Sequence, residues 1–366
     1  MPPPAPSVDI SVLVPVLNEE ATIARVVAAM LAQRLDGTFE LVVADGGSTD
    51  RTRAVLEEIG RRDPRVRVFD NPLGGTASGL NVCLREARGT YVARMDGHTV
   101  YPADYLALGI ERLRRGGTTW VAGPQRPSGR GPVSRAVVAA LGGPLGRGGS
   151  RKWSGPGQEA EEHDLDTGVF CGVWRRDDVL RHGGWDEGWP RNQDSELAAR
   201  FLRAGERIVC VPAMAADYLP RDSVKGLVRQ YRGYGKYRAR TALRHPGSLR
   251  RSALLPPALL VTAAAAAVAP RPLRGPARAA LAAYAATVLA VAASVLRDGR
   301  PTEAVLIPVV LPAMHLAHGV GFFEGAATWG VPVPALLRAA GIAPDAGAGP
   351  YAGPVSAPSL QPAAGA

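Results

Sequence analysis

The first hundred residues alternate between short β-prone apolar runs and helical stretches, and this restricts the chain to a small set of folds. Ile10–Val16 (ISVLVPV) is an uninterrupted β-prone run, as expected of a strand buried on both faces. Residues 21–33 follow as an alanine- and valine-rich helix and 39–44 (FELVVA) as a second buried strand. A helix then runs to about residue 60, and 66–69 form a third strand. A glycine-rich turn over 71–79 leads into a helix through Arg88. The fourth run is 91–98, YVARMDGH, in which Tyr91, Val92, Ala93 and Met95 are broken only by Arg94. This order predicts an α/β fold with a mostly parallel, Rossmann-like sheet and helices on both faces.

Ligands of such sheets sit at the carboxyl ends of the strands. Asn18, Asp45, Asp50, Gly79 and Asp96 all fall just after strands or in the following loops. Asp96-Gly97-His98 at the end of a strand can hold a divalent cation, and it can equally be an Asp-Gly turn. Several acids on one edge are harder to explain as turn chemistry than any one of them. No GxGxxG follows the first strand, and Asn18-Glu19-Glu20 would repel a pyrophosphate brought directly onto that helix start. An acidic edge suits a nucleotide whose phosphates arrive with a metal. Asn18 is also placed to cap the first helix.

The net charge of +10, nearly all from arginine, points to phosphate ligands or an anionic membrane surface. Zinc-finger spacing, a basic zipper and an aromatic-basic RNA signature are all missing, so nucleic acid is not an expected partner. Cys83, Cys171 and Cys210 are too far apart to suggest a metal site or a disulfide framework, which implies a reducing compartment. Residues 1–8 read as a flexible N-terminus without signal-peptide character.

Further along, a helix and a strand are expected over 108–122. Residues 125–158, rich in glycine, proline and arginine with Trp153 among them, read as a mobile loop or lid, or simply as an irregular excursion. β character resumes over 166–174, followed by the turn Gly183-Gly184-Trp185-Asp186-Glu187. Asn192-Gln193-Asp194-Ser195-Glu196 precede the amphipathic stretch LAARFLRAG. Ser195 could cap that helix, and Asp194 and Glu196 could serve its dipole or do chemistry. A strand is expected over 207–211. Residues 224–240 interleave arginine, lysine and tyrosine on one helix, either a basic surface helix or a phosphate clamp. Beyond Arg251 the stretches 252–269, 279–296 and 304–323 are uncharged and near the roughly 20 residues needed to span a bilayer. A soluble helical hairpin is the rival reading.

Taken as an ordered set, these motifs resemble the family 2 glycosyltransferases of GT-A fold. The set comprises a strand ending in Asn-Glu-Glu, then Asp-Gly-Gly-Ser-Thr-Asp, then Gly-Leu-Asn before a strand ending in Asp-x-His, and finally Gly-Gly-Trp-Asp-Glu with Asn-Gln-Asp. It covers about residues 10–240. Within the family, Met95-Asp96-Gly97-His98 followed by Tyr101-Pro102, the stretch 230–235 and the segment 315–322 are similar to the ExoA-type succinoglycan glycosyltransferases. The resemblance implies a GT-A domain over 9–245, a membrane region of two or three segments over 252–337, and a disordered tail over 342–366. It implies a nucleoside-diphosphate sugar donor, a lipid-linked or saccharide acceptor, and manganese or magnesium as the divalent cation.

By the same resemblance, Asp45 would bind the base, with Asn18 and Glu19 lining the nucleotide pocket and Asp50 and Gly79 beside it. Asp96 would face the ribose and the metal-diphosphate, with His98 as a second metal ligand where the family usually has an acid. Asp194 would be the general base. Gln230, Arg232 and Lys236 occupy the family's Gln/Arg-rich motif beside the diphosphate and acceptor. The implied reaction is an inverting transfer. A catalytically silent nucleotide-sugar binder and a sugar nucleotidyltransferase remain as alternatives. The catalytic domain is expected in the cytosol, because nucleotide sugars are made there. Arg244, Arg250 and Arg251 before the first apolar stretch agree with the positive-inside rule, whereas Arg271, Arg274 and Arg278 would oppose it if all three stretches spanned. The expectation is therefore a first stretch that re-enters or lies along the cytosolic interface, followed by two spans, with three spans as the alternative.

Overall fold

A computed structural model describes residues 8–96, 99–153, 161–169 and 171–343. Its strands are β1 (Ile10–Val16), β2 (Phe39–Asp45), β3 (Val66–Asp70), β4 (Tyr91–Arg94), β5 (Trp120–Ala122), β6 (Gln125–Pro127), β7 (His163–Leu165), β8 (Gly172–Arg175), β9 (Ile208–Cys210) and β10 (Ala216–Tyr218). Its helices are α1 (Ile23–Leu31), α2 (Thr52–Arg62), α3 (Thr76–Glu86), α4 (Tyr105–Arg114), α5 (Pro132–Gly142), α6 (Pro144–Arg147), α7 (Arg176–Arg181) and α8 (Gln193–Arg203), followed by α9 (Val224–Arg244), α10 (Leu255–Val268), α11 (Arg271–Arg297), α12 (Pro301–Trp329) and α13 (Val333–Ala339). The described residues divide into two compact units, 8–125 with 161–217, and 126–153 with 218–343.

In the first unit an eight-stranded sheet has the order β3-β2-β1-β4-β8-β5-β9-β7. The expected parallel half is present: β1 pairs in parallel with β2 and with β4, and β2 with β3. The other half is mixed, because β8 runs antiparallel to both β4 and β5. Gly172 opens β8 opposite Arg94 at the end of β4, so the chain entering β8 meets the carboxyl edge of the parallel strands. Val12, Leu13, Val14, Leu41, Val42 and Val43 are fully buried, as their unbroken apolar runs require.

Three tryptophans tie the mixed half together. Trp120 of β5 lies 4.9 Å from Trp174 of β8, and Trp174 meets Trp185 edge-on at 5.8 Å. Such pairs add about 0.5–1.5 kcal/mol each beyond their burial. Trp185 belongs to the Gly-Gly-Trp turn, and Asn81 of α3 fixes that turn by accepting from the Trp185 N–H (2.9 Å) and donating to its carbonyl (2.8 Å). Gly184 has φ +66°, and a β-carbon there would strike the Asn81 amide. The motif is thus a structural clasp, to which Arg200 of α8 bonds through the Gly184 carbonyl.

The second unit corrects one expectation. Residues 125–158 are not simply an excursion, because α5 and α6 lie within them. Pro132 stands at the first helical position, and Ser134 accepts from the Gly131 N–H (3.0 Å) while its own N–H reaches Asp222 (2.8 Å). The helix is built mostly of alanine and valine, which gives little contrast between faces and hid it from a periodicity reading. The part of the expected lid at 154–160 lies outside the described residues, as do 1–7 and 344–366 of the expected flexible ends.

Three helical segments of this unit, 251–268, Arg271–Arg297 and Pro301–Trp329, are long and apolar enough to cross a membrane. Helix α9 packs on α12 through glycines. A β-carbon on Gly235 would overlap the His318 carbonyl, and one on Gly321 would overlap the Arg232 carbonyl. The glycines thus let the two helix backbones approach closely. Gly321→Leu is therefore expected to destabilise the unit by about 3 kcal/mol or more, since neither backbone can yield cheaply. Thermal unfolding in detergent checks this, and an unchanged midpoint would refute the close packing.

Candidate functional site

The loops after β1 and β2 are laced together at the carboxyl edge of the sheet. Asn18 has φ +54°, one of two non-glycine residues with positive φ among the described residues. It does not cap α1, as its position suggested. Its Oδ1 accepts from the Thr49 N–H (2.8 Å), and its own N–H donates to Ser48 Oγ (2.9 Å). The first helix starts only at Ile23, with Thr22 before it. The Glu19 N–H donates to Thr52 Oγ1 (2.8 Å), and the Glu20 N–H to Asp50 (3.2 Å). The Thr52 hydroxyl beside Asp50 holds that carboxyl below its usual range. Asn18, Glu19, Glu20, Ala21, Thr22 and Asp50 line an open depression of roughly 450 Å³.

Asp45 ends β2 and is buried at 6% exposure, with Ser48 Oγ donating to it at 2.5 Å. Ser48 therefore links Asp45 to Asn18, a connection the sequence offered no reason to draw. Gly79 lies in the first turn of α3, not in a loop, and a β-carbon there would come within 3.0 Å of Pro15. Its place is to let α3 approach β1.

Asp96 and Asp194 meet at a residue that sequence reasoning passed over. The Arg94 guanidinium donates to Asp96 through Nε (2.7 Å) and Nη2 (3.0 Å), and to Asp194 through Nη1 (2.5 Å). Arg94 is only 3% exposed. Burial alone would lower its proton affinity, but the charges of Asp194 and Asp96 outweigh that and keep it above its ordinary value, so it stays charged. Tyr101 supports the same corner, its hydroxyl accepting from the Asp96 N–H at 2.8 Å. The signal was present in the sequence, since a charged residue inside a buried strand must be paired.

Asp194 is the second residue of α8, just after Asn192 at φ +60°. Ser195 lies inside the helix and does not cap it. Glu196 is fully buried and pairs with Arg200, whose Nη2 also donates to the Gly184 carbonyl (2.8 Å). Of the two acids at this helix start, Glu196 braces the turn and Asp194 is turned toward Arg94.

Gln230, Arg232 and Lys236 lie on α9 in the second unit. Gln230 Nε2 donates to the hydroxyls of Tyr218 (3.3 Å) and Tyr234 (3.1 Å), Arg232 pairs with Glu324 (2.9 Å), and Lys236 Nζ sits 5.3 Å from the Trp329 ring centre. His98 lies outside the described residues. Among the described residues, no three His, Cys, Asp or Glu side chains converge as a metal cage. A single hard carboxylate at Asp96 fits a magnesium or manganese ion that shares its ligands with substrate phosphates, the usual arrangement for those ions.

Comparison with known proteins places the chain. The family model for glycosyl transferase family 2 matches residues 11–184. The succinoglycan biosynthesis protein ExoA of Rhizobium meliloti is 30% identical over 315 residues, 86% of this chain and 93% of that protein. The glycosyltransferase AglD of Haloferax volcanii is 29% identical over 65% of this chain and 37% of its own length. A mannosyltransferase from Pyrobaculum calidifontis, solved with GDP-mannose and Mn2+, is 22% identical over 83% of this chain and 86% of its own, with a TM-score of 0.49. With an ExoA relative matched along nearly its whole length, and with the expected α/β sheet and apolar C-terminal helices in place, this chain belongs to glycosyltransferase family 2.

Proposed function

We propose that the chain is an inverting, divalent-cation-dependent hexosyltransferase that moves a sugar from a nucleoside-diphosphate sugar to a lipid-linked or saccharide acceptor at the cytosolic face of a membrane. The observation that supports this most directly is the placement of Asp96 and Asp194 on one buried guanidinium at the carboxyl edge of the sheet. Asn18, Glu19, Asp45 and Asp50 hold the nucleoside, Asp45 accepting from the base. Asp96 presents a carboxylate to the cation that travels with the diphosphate. That cation, when bound, neutralises the charge of the leaving diphosphate, so no protein acid is needed there. Asp194 takes the proton from the acceptor hydroxyl as it attacks the anomeric carbon from the face opposite the diphosphate, which inverts the configuration. For Gln230, Arg232 and Lys236 the family resemblance remains the support for a role at the diphosphate and acceptor.

Incubation of the purified chain with a panel of radiolabelled nucleotide sugars and membrane lipid extract tests this reading. Sugar transfer is the expected result. Binding without turnover would make the chain a silent binder, and pyrophosphate chemistry would make it a nucleotidyltransferase.

The membrane arrangement we propose rests on charge and local sequence. All three segments are long enough to cross a core of about 30 Å, but the first carries Pro256-Pro257 near its start and is followed by Arg271, Arg274 and Arg278, which the positive-inside rule keeps on the cytosolic side. We place α10 at the cytosolic interface and let α11 and α12 span. Single cysteines introduced at Arg274, Arg300 and Ser356, in a background without the native cysteines, report this arrangement. An impermeant thiol reagent on intact cells is expected to label only the Arg300 site. Labelling at the Arg274 and Ser356 sites instead would establish three spans.

A further inference from the structure

We propose that Arg94 is a positioning residue that couples the cation-diphosphate end of the site to the acceptor base, by holding Asp96 and Asp194 on one guanidinium. The proposal rests on the glycosyltransferase reading above. Arg94 is the last residue of β4, paired with Leu13 of β1 on one side and Gly172 of β8 on the other, so its backbone is clamped by strands on both flanks. Its side chain is 4% exposed, while those of Asp96 and Asp194 are 13% and 15% exposed. The acids are thus more open to solvent than the guanidinium between them.

The two carboxylates lie on separate elements, about a hundred residues apart in the chain. Arg94 spends Nε and Nη2 on one and Nη1 on the other. A planar fork can fix two acids in one relation, whereas a lysine ammonium on a flexible stem cannot. One positive charge between two negative ones leaves the acids competing for it. Asp96 engaged by a divalent cation gives up part of its share of the guanidinium, and the hold on Asp194 tightens. Conversely, an uncharged residue at 194 leaves the whole guanidinium to Asp96, which then binds a cation less well. Linkage makes the coupling reciprocal: what cation binding at Asp96 does to the Arg94–Asp194 pair, that pair does to cation binding. The arrangement therefore draws the base into place once the donor's cation has engaged Asp96.

The test measures binding, not turnover. Asp194→Asn and Arg94→Lys are made singly and together in the full chain, with thermal unfolding as a check on folding. Mn2+-dependent binding of each of UDP, GDP, ADP and dTDP is then followed by calorimetry. With Arg94 present, Asp194→Asn is expected to weaken the Mn2+-dependent affinity about three- to tenfold; in the Arg94→Lys background the same change should have less than about a twofold effect. Equal effects in both backgrounds would overturn the coupling. If Arg94→Lys does not fold, Asp194→Asn alone decides: an unchanged Mn2+-dependent affinity overturns the proposal, and a threefold or greater loss supports it. Failure of the parent chain to bind any of the four nucleotides with Mn2+ would instead defeat the glycosyltransferase reading itself.

Discussion

Asp194→Asn is expected to lower transfer by about 10²–10⁴-fold while donor binding stays within about tenfold, the range a positioned general base contributes. The separation of the two effects follows from where Asp194 sits. It opens α8 and reaches Arg94, whereas Asn18, Glu19 and Asp50 line the depression between the first two loops and Asp45 joins them through Ser48. Asparagine has nearly the same shape and can still accept from Arg94 Nη1, so the corner stays filled and Asp96 keeps its bidentate partner. What is lost is the capacity to take a proton, together with the charge that competes with Asp96 for Arg94, and the second loss accounts for the modest change in donor binding. Turnover is measured beside donor affinity by calorimetry on the same preparation. Turnover like that of the parent chain would remove Asp194 from the base role, and loss of both turnover and donor binding would assign it to the donor site.

In the parallel half β1 and β2 were legible because they are buried on both faces and read as unbroken apolar runs, and β3 and β4 from their place in the strand-helix alternation. In the mixed half β5, β8 and β9 stand where strands were expected, but β7, only three residues long, was too short to show a period, and nothing local told that β8 runs antiparallel to its neighbours. Site residues at or just beyond the ends of the parallel strands, Asn18, Asp45 and Asp96, could be placed from the sequence. Capping was misjudged twice: Asn18 and Ser195 have the right chemistry for a cap, but tertiary partners already claim Asn18, and α8 begins two residues before Ser195. Arg94 was visible as a charge inside an apolar run, yet its partner lies about a hundred residues away, and no local pattern reports a contact of that separation. The Gly-Gly-Trp turn was read as a marker of the family, while its physical work, a buried indole and a clasp onto Asn81, emerges only from packing.

Asp96→Asn is expected to lower donor affinity by about 10²–10³-fold in the presence of Mn2+, and to leave the much weaker metal-free affinity nearly unchanged. A divalent cation supplies several kcal/mol where charge gathers, and each 1.4 kcal/mol is tenfold in affinity. Asparagine is preferred to alanine because Arg94 donates to both Asp96 oxygens, and an amide preserves one acceptor for it. The remaining charge on Arg94 is balanced by Asp194, so the folded state keeps a paired guanidinium and not an isolated buried cation. Binding is titrated with Mn2+, with Mg2+ and with chelator. In the parent chain, chelator should reproduce the loss that the substitution causes, and in the variant it should add nothing further. A variant whose affinity still responds to Mn2+ as the parent does would move the cation away from Asp96, and the acidic edge of the sheet would then serve the nucleoside alone.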